Sequence, residues 1–286
     1  MSEATKRILV AGSTGYLGAY VAEELKTRGH YVRALARSAD KLATLKKQPD
    51  DIFLAQVTEP DSLRGACDGI DVVFSSVGIT RQKDGLTFKD VDYQGNLNLL
   101  NEAKRAGVKK FIYVSVFDGP KLLHLDIVKA HENFVAELTK SGLDYCVIRP
   151  TGYFSDMGEF LEMAQKGRVW LVGSGVNKMN PIHGADLANV CADAVDREDT
   201  EINAGGPEVM TYRQMAETAF KALDRPPKIS SVPGWLIKAV VAVTRLFNHH
   251  QGELLAFFTT VMLTDGVAPR YGDHNLLEHY RRLAAK

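Results

Sequence analysis

Cysteine is scarce in this 286-residue chain: Cys67, Cys146 and Cys191 are odd in number, widely spaced and form no CxxC pair. That argues against a disulfide framework or a cysteine-built zinc site and points to a reduced, cytoplasmic setting. An excess of charge is missing too. Lys plus Arg and Asp plus Glu stand at 35 each, so no global field invites nucleic acid. The start of the chain has no apolar signal core, because strand-like residues begin at Ile8 and break at Gly12. No apolar run is long enough to span a bilayer. The most apolar late stretch, Trp235 to Phe247, is interrupted by Lys238 and Arg245 and reads as a buried or partner-facing helix, with attachment to a membrane surface as the second reading. What remains is an ordinary globular composition, 45% hydrophobic and 24% charged, long enough for one large α/β domain or a domain with a smaller lobe.

Apolar strand-like runs at 7–11, 31–36, 52–57, 71–77, 110–116 and 144–149 alternate with helical spacing at 16–28, 39–47, 61–67, 88–106 and 122–140. Strands apolar on both faces, alternating with helices, predict a parallel sheet covered on both sides. Glycines at Arg28-Gly29, Ala106-Gly107 and Ser141-Gly142 stand where left-handed helix caps belong. After Arg149-Pro150 helical patterns take over, at 155–166, 185–196, 211–223, 235–247 and 252–263, with short strand-like pieces at 168–172 and 200–204. The expectation is an α/β, Rossmann-type doubly wound parallel sheet over 1–150. A smaller, mostly helical substrate lobe over 151–286 returns strands to the sheet.

The first strand runs into "AGSTGYLG", with Gly12, Gly15 and Gly18 three apart. The spacing differs from G-x-G-x-x-G but keeps its physical parts: a tight turn, a backbone a pyrophosphate can approach, and close helix–strand packing. Gly12, Ser13, Thr14, Gly15, Tyr16, Leu17 and Gly18 are therefore the candidate pyrophosphate loop, with the following helix offering its N-terminus. The second strand, "YVRALAR", decides between cofactors. An acidic residue is expected there for the ribose 2′-hydroxyl of NAD; the position holds Ala36, followed by Arg37 and Ser38, with Lys41 one turn on. A guanidinium without a carboxylate favours the 2′-phosphate of NADP(H), against the plainer reading of a solvated arginine.

The segments "VAGSTGYLG", "VDYQGNLNLLNEAKRAGVKKFIYVSV", "SGLDYCVIRPTGYFSDM", "NPIHGADLA", "GGPEVMT" and "APRYGDHNLLEHY" resemble the atypical short-chain dehydrogenase/reductases, in particular the NmrA-like and divinyl chlorophyllide 8-vinyl reductase-like group. The resemblance covers most of the chain. It implies NADP(H), further cofactor contacts at Gln56, Val57, Ser76, Val77, Gly78 and Pro150, and reductase chemistry on a small molecule, though the group also includes non-catalytic NADP-binding sensors and assembly subunits. The group's usual set is a serine ending the fifth strand and Tyr-x-x-x-Lys on the next helix. Ser115 matches the serine, but Leu125 stands four before Lys129, and Ile127 four before His131. The absent phenol disfavours alcohol–ketone interconversion and leaves reduction of a conjugated, largely apolar substrate. Lys129 is preferred as the ribose contact, with His131 second; two residues apart on a helix, they point about 200° apart. His124 and Tyr153 are the candidate proton donors. Asp186 reads as serving its helix's first turn or a neighbouring backbone group, and neither His183 with Asp186 nor His249-His250 offers enough ligands for a metal. The partner is expected to be a small molecule and not nucleic acid, and the chain a monomer or homodimer.

Overall fold

The computed structural model describes residues 5–79 and 85–285. In chain order the strands are β1 (Arg7–Ala11), β2 (Tyr31–Ala36), β3 (Asp51–Leu54), β4 (Val72–Ser75), β5 (Lys110–Val114), β6 (Asp144–Pro150), β7 (Val169–Val172), β8 (Lys178–Met179), β9 (Glu201–Ala204), β10 (Met210–Thr211) and β11 (Ile229–Val232). The helices are α1 (Tyr16–Thr27), α2 (Asn96–Ala106), α3 (Asp126–Thr139), α4 (Phe154–Gln165), α5 (Gly184–Asp193), α6 (Tyr212–Ala222), α7 (Gly234–Phe247), α8 (His249–Met262) and α9 (Leu276–Ala284).

Seven strands form one sheet in the order β3-β2-β1-β4-β5-β6-β9. Pairing is parallel from β3 through β6, the doubly wound arrangement expected. The order reverses between β1 and β4, so the loops leaving these two strands flank the topological switch point where such sheets bind ligands. β4 and all of β1 after Arg7 are buried, which is why they read as unbroken apolar runs. Leu9, Val73, Phe111 and Tyr113 pack with Leu99 of α2 and Phe134 and Leu138 of α3 in the core of this first unit. The glycine caps hold: Gly29, Gly107 and Gly142 all have positive φ.

Two expected helices shrink. Residues 39–47 form a single turn of 3₁₀ helix at Leu42–Thr44, and 61–67 one at Pro60–Leu63; Leu45 returns to extended backbone after the first, and Arg64 and then Gly65 (φ +90°) end the second. The helix expected from 122 starts at Asp126, because Gly119–Lys121 form their own turn around Pro120. The 88–106 helix opens with a wide π-helical stretch, Lys89–Gly95, before α2.

The chain divides into two compact units, Met1–Arg149 with Leu187–Ile202, and Pro150–Asp186 with Asn203–Lys286. Residues 187–202 thus leave the expected lobe and pack with the first unit. In the second unit α4, α6 and α9 share a core of Phe154, Phe160, Met215, Phe220 and Tyr280, and β7 pairs in parallel with β11 and β8 antiparallel with β10. Sequence periodicity missed α9, whose core-facing residues are Leu276, Tyr280 and, in part, Leu283 and Ala284 on a largely charged helix.

Candidate functional site

The loop from β1 to α1 is built by steric necessity. Gly12 has φ +84°, and a Cβ there would come within 2.8 Å of Ser76 Oγ and 3.1 Å of the Ser76 backbone, so the ends of β1 and β4 press together at the switch point. A Cβ at Gly18 would overlap the Gly12 carbonyl oxygen; the glycine lets α1 close on the loop. Gly15 donates its N–H to Gly12 O at 2.8 Å, is exposed, and precedes α1 as an N-cap residue without a side chain. No acidic residue stands in the first turn of α1, which leaves that positive helix end suited to an anion. Ser13 is buried and donates its hydroxyl to Leu35 O at 3.0 Å, tying the loop to β2. Leu17 belongs to the core, Thr14 is exposed, and Tyr16 packs edge-on against Tyr20.

Beyond β2, Ala36 is buried while Arg37, Ser38 and Lys41 are exposed. Ser38 Oγ donates to Asp40 Oδ2 at 2.9 Å. Gln56 lies in the turn after β3, its amide donating to Glu59 Oε1 at 3.0 Å, and Val57 O accepts from Asn98 Nδ2 at 2.9 Å.

The segment after β4 is held from below by two buried side chains that the sequence reading did not single out. Asn96 receives the Ser75 hydroxyl on Oδ1 at 2.6 Å and donates to Val77 O at 3.1 Å and Asp92 O at 2.8 Å. Asp92 accepts the Ile79 N–H at 3.3 Å, and a Cβ on Gly78 would meet Asp92 Oδ1 at 2.8 Å. The π-helical stretch carries Asp92, and an extra residue in a turn is a recurrent way to aim one side chain inward. The signal for both lies in "VDYQGN", where Asp92 and Asn96 stand four apart, on one face of a helix. Burial pushes the Asp92 carboxyl above the usual carboxylate range.

The same carboxylate reaches α3. His131 sets Nε2 3.2 Å from Asp92 Oδ1 and Nδ1 2.5 Å from the hydroxyl of fully buried Tyr113. Its ring edge runs beside Gly78, where a Cβ would stand 3.7 Å from His131 Cε1. Lys129 is exposed; two residues from His131, it points away from Asp92, Tyr113 and Gly78. Of the two, His131 is the side chain that α3 turns toward Asp92, Tyr113 and Gly78, and His124 is exposed like Lys129.

Ser115 is buried at the end of β5 and donates its hydroxyl to Glu132 Oε1 at 2.8 Å. Arg149 grips that carboxylate through both terminal nitrogens, at 2.6 and 3.0 Å, and binds Glu201 through Nε at 2.8 Å. The serine thus serves a buried ion pair.

Pro150 and Tyr153 belong to the second unit. Pro150 is buried, and Tyr153 is the half-buried N-cap residue of α4, bridged to Ile182. In that unit His183 stacks on His274, ring centroids 4.1 Å apart, and His274 Nδ1 lies 2.7 Å from Asp186 Oδ1. Asp186 Oδ2 also accepts the His274 backbone N–H at 3.1 Å. Burial, with His274 and His279 close by, pushes the His183 imidazole down to about 4.

A glycine-built turn at the switch point of a doubly wound sheet, feeding an uncapped helix N-terminus, defines a dinucleotide-binding protein of the Rossmann type. The family model for NAD(P)H-binding proteins matches residues 12–198, and the chain belongs to that family. It is 27% identical over 284 residues to the photosystem II assembly factor Ycf39 of Synechocystis sp., across 94% of this chain and 86% of the relative. It is 33% identical over 261 residues to the divinyl chlorophyllide a 8-vinyl-reductase of Arabidopsis thaliana, across 82% of this chain but only 62% of that longer protein. Among solved structures, the NADPH-dependent quinone oxidoreductase QOR2 of Escherichia coli complexed with NADPH superposes with a TM-score of 0.78 at 20% identity, over 97% of this chain and 99% of that one. The triphenylmethane reductase of Citrobacter sp. does so with a TM-score of 0.78 at 17% identity, over 98% and 100%. No helix among the described residues is long and apolar enough to cross a membrane.

Proposed function

We propose that this protein is an NADPH-dependent reductase that delivers hydride to a conjugated, largely apolar small molecule. The observation that carries the reading is the buried chain Tyr113–His131–Asp92 beneath the exposed backbone of Gly78, in the place where the Tyr-x-x-x-Lys helix of ordinary relatives works. The chain's residues suit the cofactor. The turn from Gly12 to Leu17 offers backbone N–H groups other than that of Gly15 to its pyrophosphate, and Arg37, Lys41 and the backbone of Ser38 offer donors to a 2′-phosphate. Gln56 and Val57 border the adenine, and Ser76 to Gly78 border the nicotinamide ribose. Bound NADPH supplies the hydride. His131, oriented by Asp92 on one nitrogen and Tyr113 on the other, fixes the wall against which the nicotinamide end rests, and orientation of this kind governs rate. No phenol is required when charge in the substrate delocalises into a conjugated system. The vinyl reductase and quinone oxidoreductase relatives support the substrate class.

Two observations favour a second reading, an NADP(H)-binding assembly factor or sensor that does not turn over: the Ser115 hydroxyl is committed to Glu132, and the assembly-factor relative aligns over 94% of the chain. The experiment is oxidation of NADPH against a panel of enones, quinones and vinyl-bearing porphyrins. Turnover with any of them supports the reductase; NADPH binding without turnover across the panel supports the sensor. In the active protein His131→Ala is expected to lower kcat tenfold or more and Lys129→Ala to leave it within about twofold. The reverse pattern overturns the assignment of His131. Arg37→Ala is expected to remove most of a preference for NADPH over NADH worth about 1–3 kcal/mol.

A further inference from the structure

Helix α7 is apolar nearly all round, and the described residues leave most of it uncovered. Trp235, Leu246 and Phe247 are 72, 83 and 88% exposed, and Leu236, Val240 and Val243 are exposed as well. Only one stripe is spent on the fold: Val241 is buried, with Ile237, Thr244 and Arg245 half-buried beside it. At 100° per residue the six exposed large residues fall within an arc of about 140°. Lys238 and Arg245, seven apart, share one flank of that arc.

The charge pattern is one-sided. From Pro233 to Thr264 the sequence has a single acidic residue, Glu253; it is buried and pairs with Arg245 at 2.7 Å. Lys238 remains as an exposed cation beside the apolar arc, and exposed His249 follows the tip formed by Leu246 and Phe247. A surface of this kind, wide and apolar with a cationic flank and no acidic residue on the helix itself, matches the headgroup–acyl boundary of an anionic bilayer. Its breadth decides against a second helix as the cover, since helix pairing buries a narrower stripe and leaves the Leu246–Phe247 tip outside. At 14 residues, about 21 Å, α7 is too short to cross a bilayer and long enough to lie in its surface.

We propose that α7 seats this protein on the surface of an anionic phospholipid bilayer, with Trp235, Leu236, Val240, Val243, Leu246 and Phe247 in the boundary and Lys238 on the phosphates. The test is flotation of the full chain with phosphatidylcholine vesicles with or without one third phosphatidylglycerol. Binding is expected with the anionic vesicles, weaker with the neutral ones and weaker as salt rises. Trp235 emission, read in a Trp170→Phe background, should shift to the blue on binding. Leu246→Glu with Phe247→Glu should cut binding at least about tenfold, and Lys238→Gln about fivefold. NADPH affinity should stay unchanged in all of these variants, which shows that they fold and keeps this test separate from the one for turnover. No flotation with either vesicle, or flotation indifferent to the double glutamate variant, overturns the proposal. A dimer broken by the same double variant, without vesicle binding, assigns the face to a second copy of the chain instead.

Discussion

A side chain at Gly18 would drive its Cβ into the Gly12 carbonyl oxygen, whereas at Gly15 the same atom would stand 3.2 Å from that oxygen and otherwise face open space. The two glycines therefore separate folding from binding. Gly15→Val should keep a native circular dichroism spectrum and lose NADPH binding, because its side chain fills the space the pyrophosphate needs. Gly18→Ala should lower the unfolding free energy read by urea titration by about 2 kcal/mol or more, in the manner of an overpacked contact between rigid backbones. Wild-type NADPH affinity in Gly15→Val would mean that the loop is only a turn. In the sequence the three glycines look alike. Their different duties emerge from how α1 lies on the loop.

At the scale of elements, the ends of β5 and β6 and the first turns of α3 are joined by one buried ion pair. Glu132 and Arg149 meet in two hydrogen bonds, with Ser115 donating to the same carboxylate. Removing Glu132 leaves the buried Arg149 with Glu201 alone as its acidic partner, so Glu132→Ala should destabilise the protein, by at most about 3–5 kcal/mol. Ser115→Ala should cost about 1 kcal/mol and leave any turnover largely intact, since the hydroxyl already has its acceptor inside the protein. Denaturant titration of the two variants checks the stabilities, and a loss of turnover in Ser115→Ala above tenfold would return the serine to the reacting centre. The ion pair was not visible in the chain's linear pattern. Glu132 occupies a helix position like any solvated glutamate, and only the approach of β6 brings Arg149 onto it.

For the whole molecule, the second unit carries the clearest pH response. His183 is buried against Phe154 and the His274 ring, with His279 and Arg282 adding positive charge nearby and Asp186 opposing it. Its imidazole titrates at about 4 in the fold and near 6.5 in the unfolded chain. Between those values the unfolded state binds a proton that the native state refuses, so stability falls as pH drops from about 6.5 toward 4. His183→Gln should flatten that part of the pH–stability curve, measured by urea unfolding at several pH values. An unchanged slope would place the response on other groups.

Much of the architecture was legible in the sequence because it rests on local and repeating physics. Alternation of apolar runs with helical spacing gives a parallel sheet, and glycine caps mark helix ends. A glycine turn between the first strand and helix marks a dinucleotide site, and alanine with arginine after β2 points to a phosphate-bearing ribose. Tertiary structure alone decided which residue of α3 faces inward, because a helix start displaced by a few residues rotates every side chain behind it. It alone brought Asp92, Asn96 and Tyr113 under the segment after β4, since a buried polar group draws its meaning from partners far away in the chain. It also decided that α7 lies uncovered. An apolar run announces that a helix will be covered by something, and only the packed molecule shows that the other described residues do not cover it.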